Sequence, residues 1–339
     1  MNDQRWMDAA LALASRGRGR TAPNPNVGCI IVADGKVVGR GWTQPGGRPH
    51  AEAMALVQAG ERARGATVYV TLEPCAHLSA RGPACADLLI LSNVARVVVA
   101  LGDPDVRTNG AGIARLRDAG ITVEVGMGEA AARRQMAGFL TRQAQHRPHV
   151  TLKLALSLDG AMALGSGVSK WITGPQARAH AHLERARHEA ILVGRATIEA
   201  DAPTLDVRLD GLAERAPRRL ILSHTPAFAH PGGSTVTWEN LAAPDAIGDL
   251  DAVDHLLVEG GPTTAAAFLA ADLVDRLLLY RAPILVGGGR NLPDIGLTDL
   301  AEAHGRWVLT DARALGSDRL EVYECVRARA GTVTPGAGE

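Results

Sequence analysis

The chain has 339 residues, and its 36 basic and 36 acidic side chains leave no net charge at pH 7. That length predicts two domains, each large enough to bury its own core. The balanced charge offers no basic excess to a polyanion, which argues against nucleic acid and favours a small-molecule ligand. No signal-peptide-like apolar segment opens the sequence, and no run approaches the ~18 apolar residues of a membrane span, so we expect a cytoplasmic protein.

Strands and helices alternate through the first half of the chain, which predicts an α/β layer sandwich. Two strand-like runs flank Asp34-Gly35, a strong signal for a β-hairpin. The predicted elements, in chain order, are a helix at 3–15, strands at 27–33 and 36–41, a helix at 50–59, a strand at 67–71, a helix at 85–91, a strand at 96–101, a helix at 113–119, a strand at 121–125 and a helix at 129–145. The Pro-rich loop at 21–25 cannot be regular structure and could present Asn24 to a ligand.

A set of residues with metal-binding character lies within this first half. His50 precedes Glu52 in a His-x-Glu motif, and Cys75 and Cys85 follow about two dozen residues later. One imidazole and two thiolates can hold Zn²⁺ with a fourth position open to water, and a nearby carboxylate can move that water's proton. This pattern is typical of zinc-dependent nucleobase deaminases. Cys85 begins a predicted helix, where the helix dipole favours a thiolate.

A closed structural zinc site is the alternative interpretation of the same residues. In that case His77 supplies the fourth ligand beside His50, Cys75 and Cys85. A structural site has no use for Glu52, so a Glu52→Gln substitution separates the two hypotheses. The remaining cysteines, Cys29 and Cys325, give no disulfide framework, as expected of a reducing compartment.

The second half is also predicted to be α/β, with a boundary near the polar residues 146–149. The predicted elements are strands at 150–156, 190–193, 218–222 and 255–258, and helices at 176–188 and from about 262 to 271. Gly260-Gly261, between a strand and a helix, could let backbone amides approach a phosphate, although the usual Gly-x-Gly-x-x-Gly fingerprint is absent. Three arginines near strand ends could also bind phosphate: Arg185, Arg195 and Arg208.

The ordered set of motifs resembles one family over nearly the whole chain, the bifunctional deaminase/reductases of riboflavin biosynthesis. The stretches that carry the resemblance are Thr21-Ala22-Pro23-Asn24-Pro25, His50-Ala51-Glu52, Glu73-Pro74-Cys75-Ala76-His77, Lys153-Leu154-Ala155-Leu156-Ser157-Leu158-Asp159-Gly160, Lys170-Trp171-Ile172-Thr173 and Val258-Glu259-Gly260-Gly261. Two departures stand out. The loop before Cys85 has nine residues where the family usually has eight, and Asp201-Ala202-Pro203 lacks a second acidic residue often found there.

The resemblance implies a cytidine-deaminase-like three-layer α/β/α domain at 1–146, a dihydrofolate-reductase-like α/β domain at 147–327 and a flexible tail at 328–339. It implies hydrolytic deamination of 2,5-diamino-6-(5-phosphoribosylamino)pyrimidin-4(3H)-one, with Zn²⁺ on His50, Cys75 and Cys85 and with Glu52 as the catalytic proton carrier. NADPH-dependent reduction of the ribosyl group to ribityl follows. The family also suggests a homo-oligomer.

The resemblance further places cofactor and substrate contacts in the second half. Family positions that contact NADPH fall on Ala155, Trp171, Thr197, Asp201 and Gly261. Positions that contact substrate fall on Ser169, Arg185, Leu205, Arg208 and Glu259. Two alternatives remain from the residues alone: a monofunctional cytidine, deoxycytidylate or guanine deaminase with a non-catalytic second domain, and a zinc-stabilised binding protein.

Overall fold

The computed structural model describes residues 3–77, 82–225 and 237–327, and these residues form two compact units. Unit 1 contains residues 1–149, 186–190 and 247–256, and unit 2 contains the rest of the chain. The predicted tail at 328–339 and residues 78–81, four of the nine in the lengthened loop before Cys85, lie outside the described residues.

Unit 1 alternates helices and strands, as predicted. Its helices are α1 (Asp3–Ala14), α2 (Ala51–Ala59), α3 (Cys85–Leu91), α4 (Ala111–Asp118), α5 (Glu129–Gln135) and α6 (Ala137–Gln145). Its strands are β1 (Gly28–Ala33), β2 (Lys36–Trp42), β3 (Thr67–Val70), β4 (Arg96–Val99) and β5 (Thr122–Val125). These strands form one five-stranded sheet in the order β2-β1-β3-β4-β5. The first three strands of that order pair antiparallel and the last three pair parallel.

The core of unit 1 is aliphatic, because the chain has few aromatic residues. Val68, Val97 and Val98 are fully buried, which is typical of strands covered on both faces. Close backbone packing holds α2 on the sheet: a Cβ added to Gly41 would lie 2.0 Å from the carbonyl oxygen of Ala51. This contact fixes the start of α2, where the predicted metal-binding motif begins.

Unit 2 is built around an eight-stranded sheet in the order β12-β13-β11-β6-β10-β7-β8-β9. Its strands are β6 (His149–Leu156), β7 (Ala190–Gly194), β8 (Arg218–Leu222), β9 (Glu239–Leu241), β10 (His255–Val258), β11 (Arg276–Arg281), β12 (Trp307–Leu315) and β13 (Asp318–Cys325). The helices are α7 (Pro175–Arg185), α8 (Arg195–Asp201) and α9 (Pro262–Ala270). Strand β11 pairs parallel with β6 and antiparallel with β13.

Three predictions from the sequence were wrong or incomplete. The single helix at 129–145 is two helices, since Met136 leaves the helical conformation with φ −102° and ψ 19°. The helix predicted to reach residue 188 ends at Arg185. The sequence analysis also did not predict α8 or the antiparallel pair β12 and β13, which form one edge of the larger sheet.

Among the residues that the structure describes, no helix is both long enough and apolar enough to span a bilayer.

Candidate active sites

The metal-binding motif lies where α2 begins. His50 is the N-cap residue of α2, with extended backbone angles, and Glu52 is in the first turn. Cys75 follows β3 after a short segment, and Cys85 is the first residue of α3. Side chains in a helix tilt toward its N-terminus, so those at the starts of α2 and α3 can meet in front of both helices. These elements, with the segment after β3, bring three potential ligands to one place.

The side chains of His50, Cys75 and Cys85 converge closely enough to share a metal ion. Their potential ligand atoms all lie within 4.8 Å of one another. His50 Nδ1 lies 3.6 Å from Cys75 Sγ and 3.3 Å from Cys85 Sγ. Tetrahedral zinc, with bonds of about 2.0 Å to nitrogen and about 2.3 Å to sulfur, requires ligand separations of roughly 3.5 Å. The geometry and the donor chemistry therefore both fit Zn²⁺.

The side chains of Cys75 and Cys85 are hydrogen-bonded to each other. The pKa of Cys75 is lowered to about 4, first by the hydrogen bond from Cys85 and, against the cost of burial, by His50. The same contact raises the pKa of Cys85 well above its ordinary value. The largest cause of both shifts is this one contact between the two sulfurs, and the thiolate expected at Cys85 from the helix start stays a prediction. A divalent cation would replace the proton of this hydrogen bond and bind both sulfurs as thiolates.

Glu52 is buried beside the ligands, with 3% of its surface exposed. Burial raises its pKa to about 7, partly offset by the charge of His50. A carboxyl group with a pKa close to neutral can both accept and return a proton, which is what general acid–base catalysis requires.

His77 does not join the ligand cluster among the described residues. Its Nδ1 lies 3.4 Å from the hydroxyl oxygen of Thr108. The closed structural site considered from the sequence therefore lacks its fourth ligand in this structure. Asn24 instead contacts the far side of the ligand histidine: its Nδ2 lies 3.2 Å from His50 Nε2 and donates to the Gly47 carbonyl at 3.0 Å. Such contacts orient a ligating imidazole.

A cavity of about 350 Å³ opens over this cluster. Its wall combines the ligands and Glu52 with polar groups able to bind a heterocycle and a charged substituent. The polar residues in the lining are Asn24, Thr43, Arg48, His50, Glu52, Glu73, Cys75, His77, Asp103, Asp105, Arg107 and Gln143. The volume suits a small molecule.

A second group of predicted site residues meets in unit 2. Arg185, at the end of α7, pairs bidentately with Glu259, which directly follows β10. Lys153 Nζ lies 3.8 Å from the same carboxylate. Although burial alone would raise it, the charges of Arg185 and Lys153 hold the pKa of Glu259 at about 2. Glu259 is therefore an anion at neutral pH.

The segment before β8 is tied to this group. The Asp206 carbonyl accepts a hydrogen bond from Arg185 Nη1 at 3.0 Å. Arg208 is exposed, and its Nε donates to the Asp206 carboxylate at 3.0 Å. Leu205 is buried and has a φ of +49°. Leu205 and Arg208 thus lie on one segment, and the hydrogen bond to the Asp206 carbonyl links that segment to Arg185, a third predicted substrate-contact residue. Arg195 instead pairs with Glu199 on its own helix.

The predicted NADPH positions are spread over several elements of unit 2. Thr197 on α8 is next to Gly261, the N-cap of α9, because a Cβ at Gly261 would lie 3.8 Å from the threonine hydroxyl. Asp201, at the end of α8, pairs with Lys170 at 2.9 Å. Trp171 is 69% exposed and the Arg178 guanidinium lies 4.6 Å from its ring centroid. Ala155 is on β6, and Ser169 is exposed in the segment before Trp171.

One residue near the metal cluster carries contacts that the sequence did not reveal. Glu73, in the Glu-Pro-Cys motif, accepts four backbone hydrogen bonds from residues 30 to 40 positions further along the chain. Its motif marked it as part of the site, but no local pattern indicates such distant partners.

The fold and the site of unit 1 define a zinc-dependent hydrolytic deaminase that is joined to a second α/β domain. Residues 1–101 match the cytidine and deoxycytidylate deaminase zinc-binding region, and residues 148–319, more than half of the chain, match the RibD C-terminal domain. The chain therefore belongs to the RibD family of riboflavin biosynthesis. Enzymes of this family combine a Zn²⁺-dependent deaminase with an NADPH-dependent reductase, and this chain contains both domains.

Similar proteins cover nearly the whole chain. The riboflavin biosynthesis protein RibD of Escherichia coli (strain K12) is 42% identical over 94% of this chain and 98% of its own length. That of Aquifex aeolicus is 39% identical over 89% of this chain and 92% of its own. Among solved structures, RibD of Acinetobacter baumannii covers 96% of this chain and 99% of its own at 37% identity, with a TM-score of 0.83. A Thermotoga maritima deaminase/reductase covers 95% and 98% at 30% identity, with a TM-score of 0.86.

Proposed function

We propose that residues 1–146 deaminate 2,5-diamino-6-(5-phosphoribosylamino)pyrimidin-4(3H)-one and that residues 147–327 then reduce the ribosyl group of the product to ribityl with NADPH. The observation that carries the first half is the convergence of His50, Cys75 and Cys85 beside the buried carboxyl group of Glu52. The Thermotoga maritima relative is described as a deaminase and reductase of such phosphoribosylamino compounds.

In the proposed deamination, His50, Cys75 and Cys85 would hold Zn²⁺, which would lower the pKa of a bound water so that hydroxide is available at neutral pH. Glu52 takes a proton from the attacking water, since its pKa of about 7 lets it act as a base. It returns this proton to the ring nitrogen, then takes the remaining proton of the added hydroxyl group and gives it to the amino group, because ammonia leaves readily only when the nitrogen is protonated.

In the proposed reduction, the charged group around Glu259 binds the polar end of the substrate. Arg185 and Lys153 place two cations beside one carboxylate, and Arg208 is exposed on the adjoining segment. Guanidinium groups suit a phosphate, which they can bind through two parallel hydrogen bonds. Ser169 and Leu205 are further substrate contacts in this proposal. Ala155, Trp171, Thr197, Asp201 and Gly261 bind NADPH, whose hydride needs close and dry positioning.

We further propose that the enzyme is a cytoplasmic homo-oligomer that acts on small molecules. Free cysteines persist in a reducing compartment, which supports that location. Val308 and Leu309 on β12 and Leu285 after β11 are exposed, and such apolar side chains could be covered by a second copy of the chain. Sedimentation analysis tests this, and a monomer at micromolar concentration would contradict it.

The enzymatic proposal is tested by measuring both reactions on purified Glu52→Gln. We expect ammonia release to be lost, zinc content to be unchanged and NADPH oxidation with the deaminated intermediate to continue. Retained ammonia release would contradict the role of Glu52. If the unaltered protein releases ammonia but does not oxidise NADPH, the chain is a monofunctional deaminase. If it does neither, the zinc-stabilised binding protein remains.

A further inference from the structure

The carboxylate of Glu73 is a hydrogen-bonding centre in the wall of the deaminase cavity. It is buried, with 3% of its surface exposed. One oxygen, Oε2, accepts from the backbone N–H groups of Asp103 at 3.2 Å and Gly110 at 3.0 Å. The other, Oε1, accepts from Gly112 at 2.9 Å and Ile113 at 3.1 Å. Both oxygens are therefore used twice.

Three of these donors belong to the start of α4. The N-cap of that helix is Gly110, which has no side chain to accept from the first free amides. Glu73 supplies the missing acceptor from another part of the chain, and its negative charge complements the positive end of the helix. The approach is close, since a Cβ at Gly112 would lie 2.0 Å from the Pro74 carbonyl oxygen.

The fourth donor lies at the other end of the loop that leads to α4. Asp103 and Gly110 are thus fastened to one carboxylate, and the chain between them lines the cavity. Within this loop the Asp105 amide donates to the Asp103 carboxylate at 2.9 Å, and Arg107 Nε donates to Asp105 at 2.9 Å. Asp103, Asp105 and Arg107 therefore present their side chains to the cavity from a loop held at both ends.

We propose that Glu73 is a positioning residue of the deaminase, which fixes the cavity wall formed by residues 103–107 and thereby controls substrate binding. The inference rests on the proposed function for the identity of the substrate. Glu73 is separated from Cys75 by one residue, so one short segment positions both a metal ligand and the carboxylate that holds the loop of residues 103–107. The wall formed by residues 103–107 affects how the substrate is bound. The metal ligands and Glu52, in contrast, affect how the water is activated.

A Glu73→Gln substitution tests this role because it changes almost no volume. The amide can still accept through one oxygen, but its nitrogen faces two backbone N–H donors and cannot accept from them. The loop then samples conformations that do not bind the substrate. The apparent affinity falls in proportion to the fraction of molecules whose loop keeps the binding conformation. We expect KM for the pyrimidine to rise about tenfold or more, the size of effect produced by losing hydrogen bonds to a charged group. The value of kcat should change little.

The experiment uses the full-length zinc-loaded protein and three further readouts. Zinc content and the reductase rate in the same preparation report on folding, and hydrogen exchange of the amides at 103–113 reports on the loop directly. Glu129→Gln is the matched control, because Glu129 is a surface residue of unit 1 that pairs with Arg133. Gly112→Ala forces α4 away from the Pro74 carbonyl and should raise KM in the same way. It is the second variant to measure if Glu73→Gln does not fold.

The outcomes separate the inference from the proposed function. A raised KM with unchanged zinc, unchanged reductase rate and faster exchange at 103–113 supports it. An unchanged KM, or unchanged exchange in that loop, overturns it, as does a loss of zinc accompanied by a fall in kcat. If the unaltered protein releases no ammonia from the pyrimidine, the proposed function fails, and the exchange measurement still decides whether Glu73 holds the loop.

Discussion

The guanidinium of Arg185 donates two hydrogen bonds to the carboxylate of Glu259, at 2.7 and 3.0 Å, and both side chains are largely buried. Lys153 lies beside this pair, so the three side chains contain two cations and one anion. The group of Arg185, Lys153 and Glu259 therefore carries one positive charge and is partly buried. A phosphate would be attracted to that charge more strongly than to a water-exposed cation, because a partly buried pair is screened less.

We predict that Arg185→Ala abolishes the reductase and destabilises unit 2. Removing Arg185 leaves the buried Glu259 carboxylate with Lys153, at 3.8 Å, as its nearby cation. Breaking a buried ion pair costs about 3–5 kcal/mol, and the remaining lysine should hold the loss to the lower end of that range. NADPH oxidation with the deaminated intermediate should disappear, and the unfolding midpoint of unit 2 should fall. Ammonia release serves as the internal control, since the deaminase residues lie in unit 1. A variant with full NADPH oxidation would show that Arg185 does not bind substrate.

Arg208→Ala, in contrast, should weaken binding without affecting stability. Its side chain is 62% exposed and its pair with Asp206 is a surface pair, which contributes little to folding. If it binds the substrate phosphate, KM in the reductase reaction should rise about tenfold, as expected for a lost charge-assisted contact. Arg218→Ala is the matched control, because Arg218 forms a similar exposed pair with Glu239. Equal KM values for the two variants would contradict the role of Arg208.

The zinc cluster is expected to serve only the deaminase. Chelation, or Cys85→Ser, should remove the metal and ammonia release, because a serine hydroxyl is a poor zinc ligand at neutral pH. NADPH oxidation should persist, since the residues proposed for it lie in unit 2. Cys325→Ser, at a half-buried cysteine of β13, is the control and should keep its zinc. Parallel loss of both reactions on chelation would mean that the metal holds the whole chain folded.

Much of unit 1 could be predicted because its signals are local. The hairpin at Asp34-Gly35, the start of α3 at Cys85 and the alternation of strands and helices all follow from neighbouring residues. The ligands His50, Cys75 and Cys85 could be chosen from residue type and spacing, since the other cysteines and histidines of residues 1–146 are only Cys29, His77 and His146.

The features that were not predicted from the sequence depend on residues far apart in the chain or lie on exposed surfaces. The four hydrogen bonds of Glu73 join positions that no sequence window contains together. Strand β12 has most of its residues at least partly exposed, so it lacks the alternating apolar pattern that identifies a half-buried strand. Met136 is fully buried where the helix breaks, and its packing, which the sequence does not display, overrides the local helical preference.

Finally, we predict that Glu189→Gln stabilises unit 1 at alkaline pH and has little effect in acid. Burial raises the pKa of Glu189 from 4.5 to about 7, so the folded state holds its proton where the unfolded state has lost it. Its stabilising effect is therefore complete below pH 4.5 and is lost as the pH rises toward 7. Gln keeps the acceptor for the His255 amide, which Glu189 Oε2 binds at 2.7 Å, and cannot ionise. Urea unfolding should show the variant more stable by about 1–3 kcal/mol at pH 8 and nearly unchanged at pH 4. The surface variant Glu129→Gln should show no such pH-dependent difference. A stabilisation that is equal at both pH values would disprove this explanation.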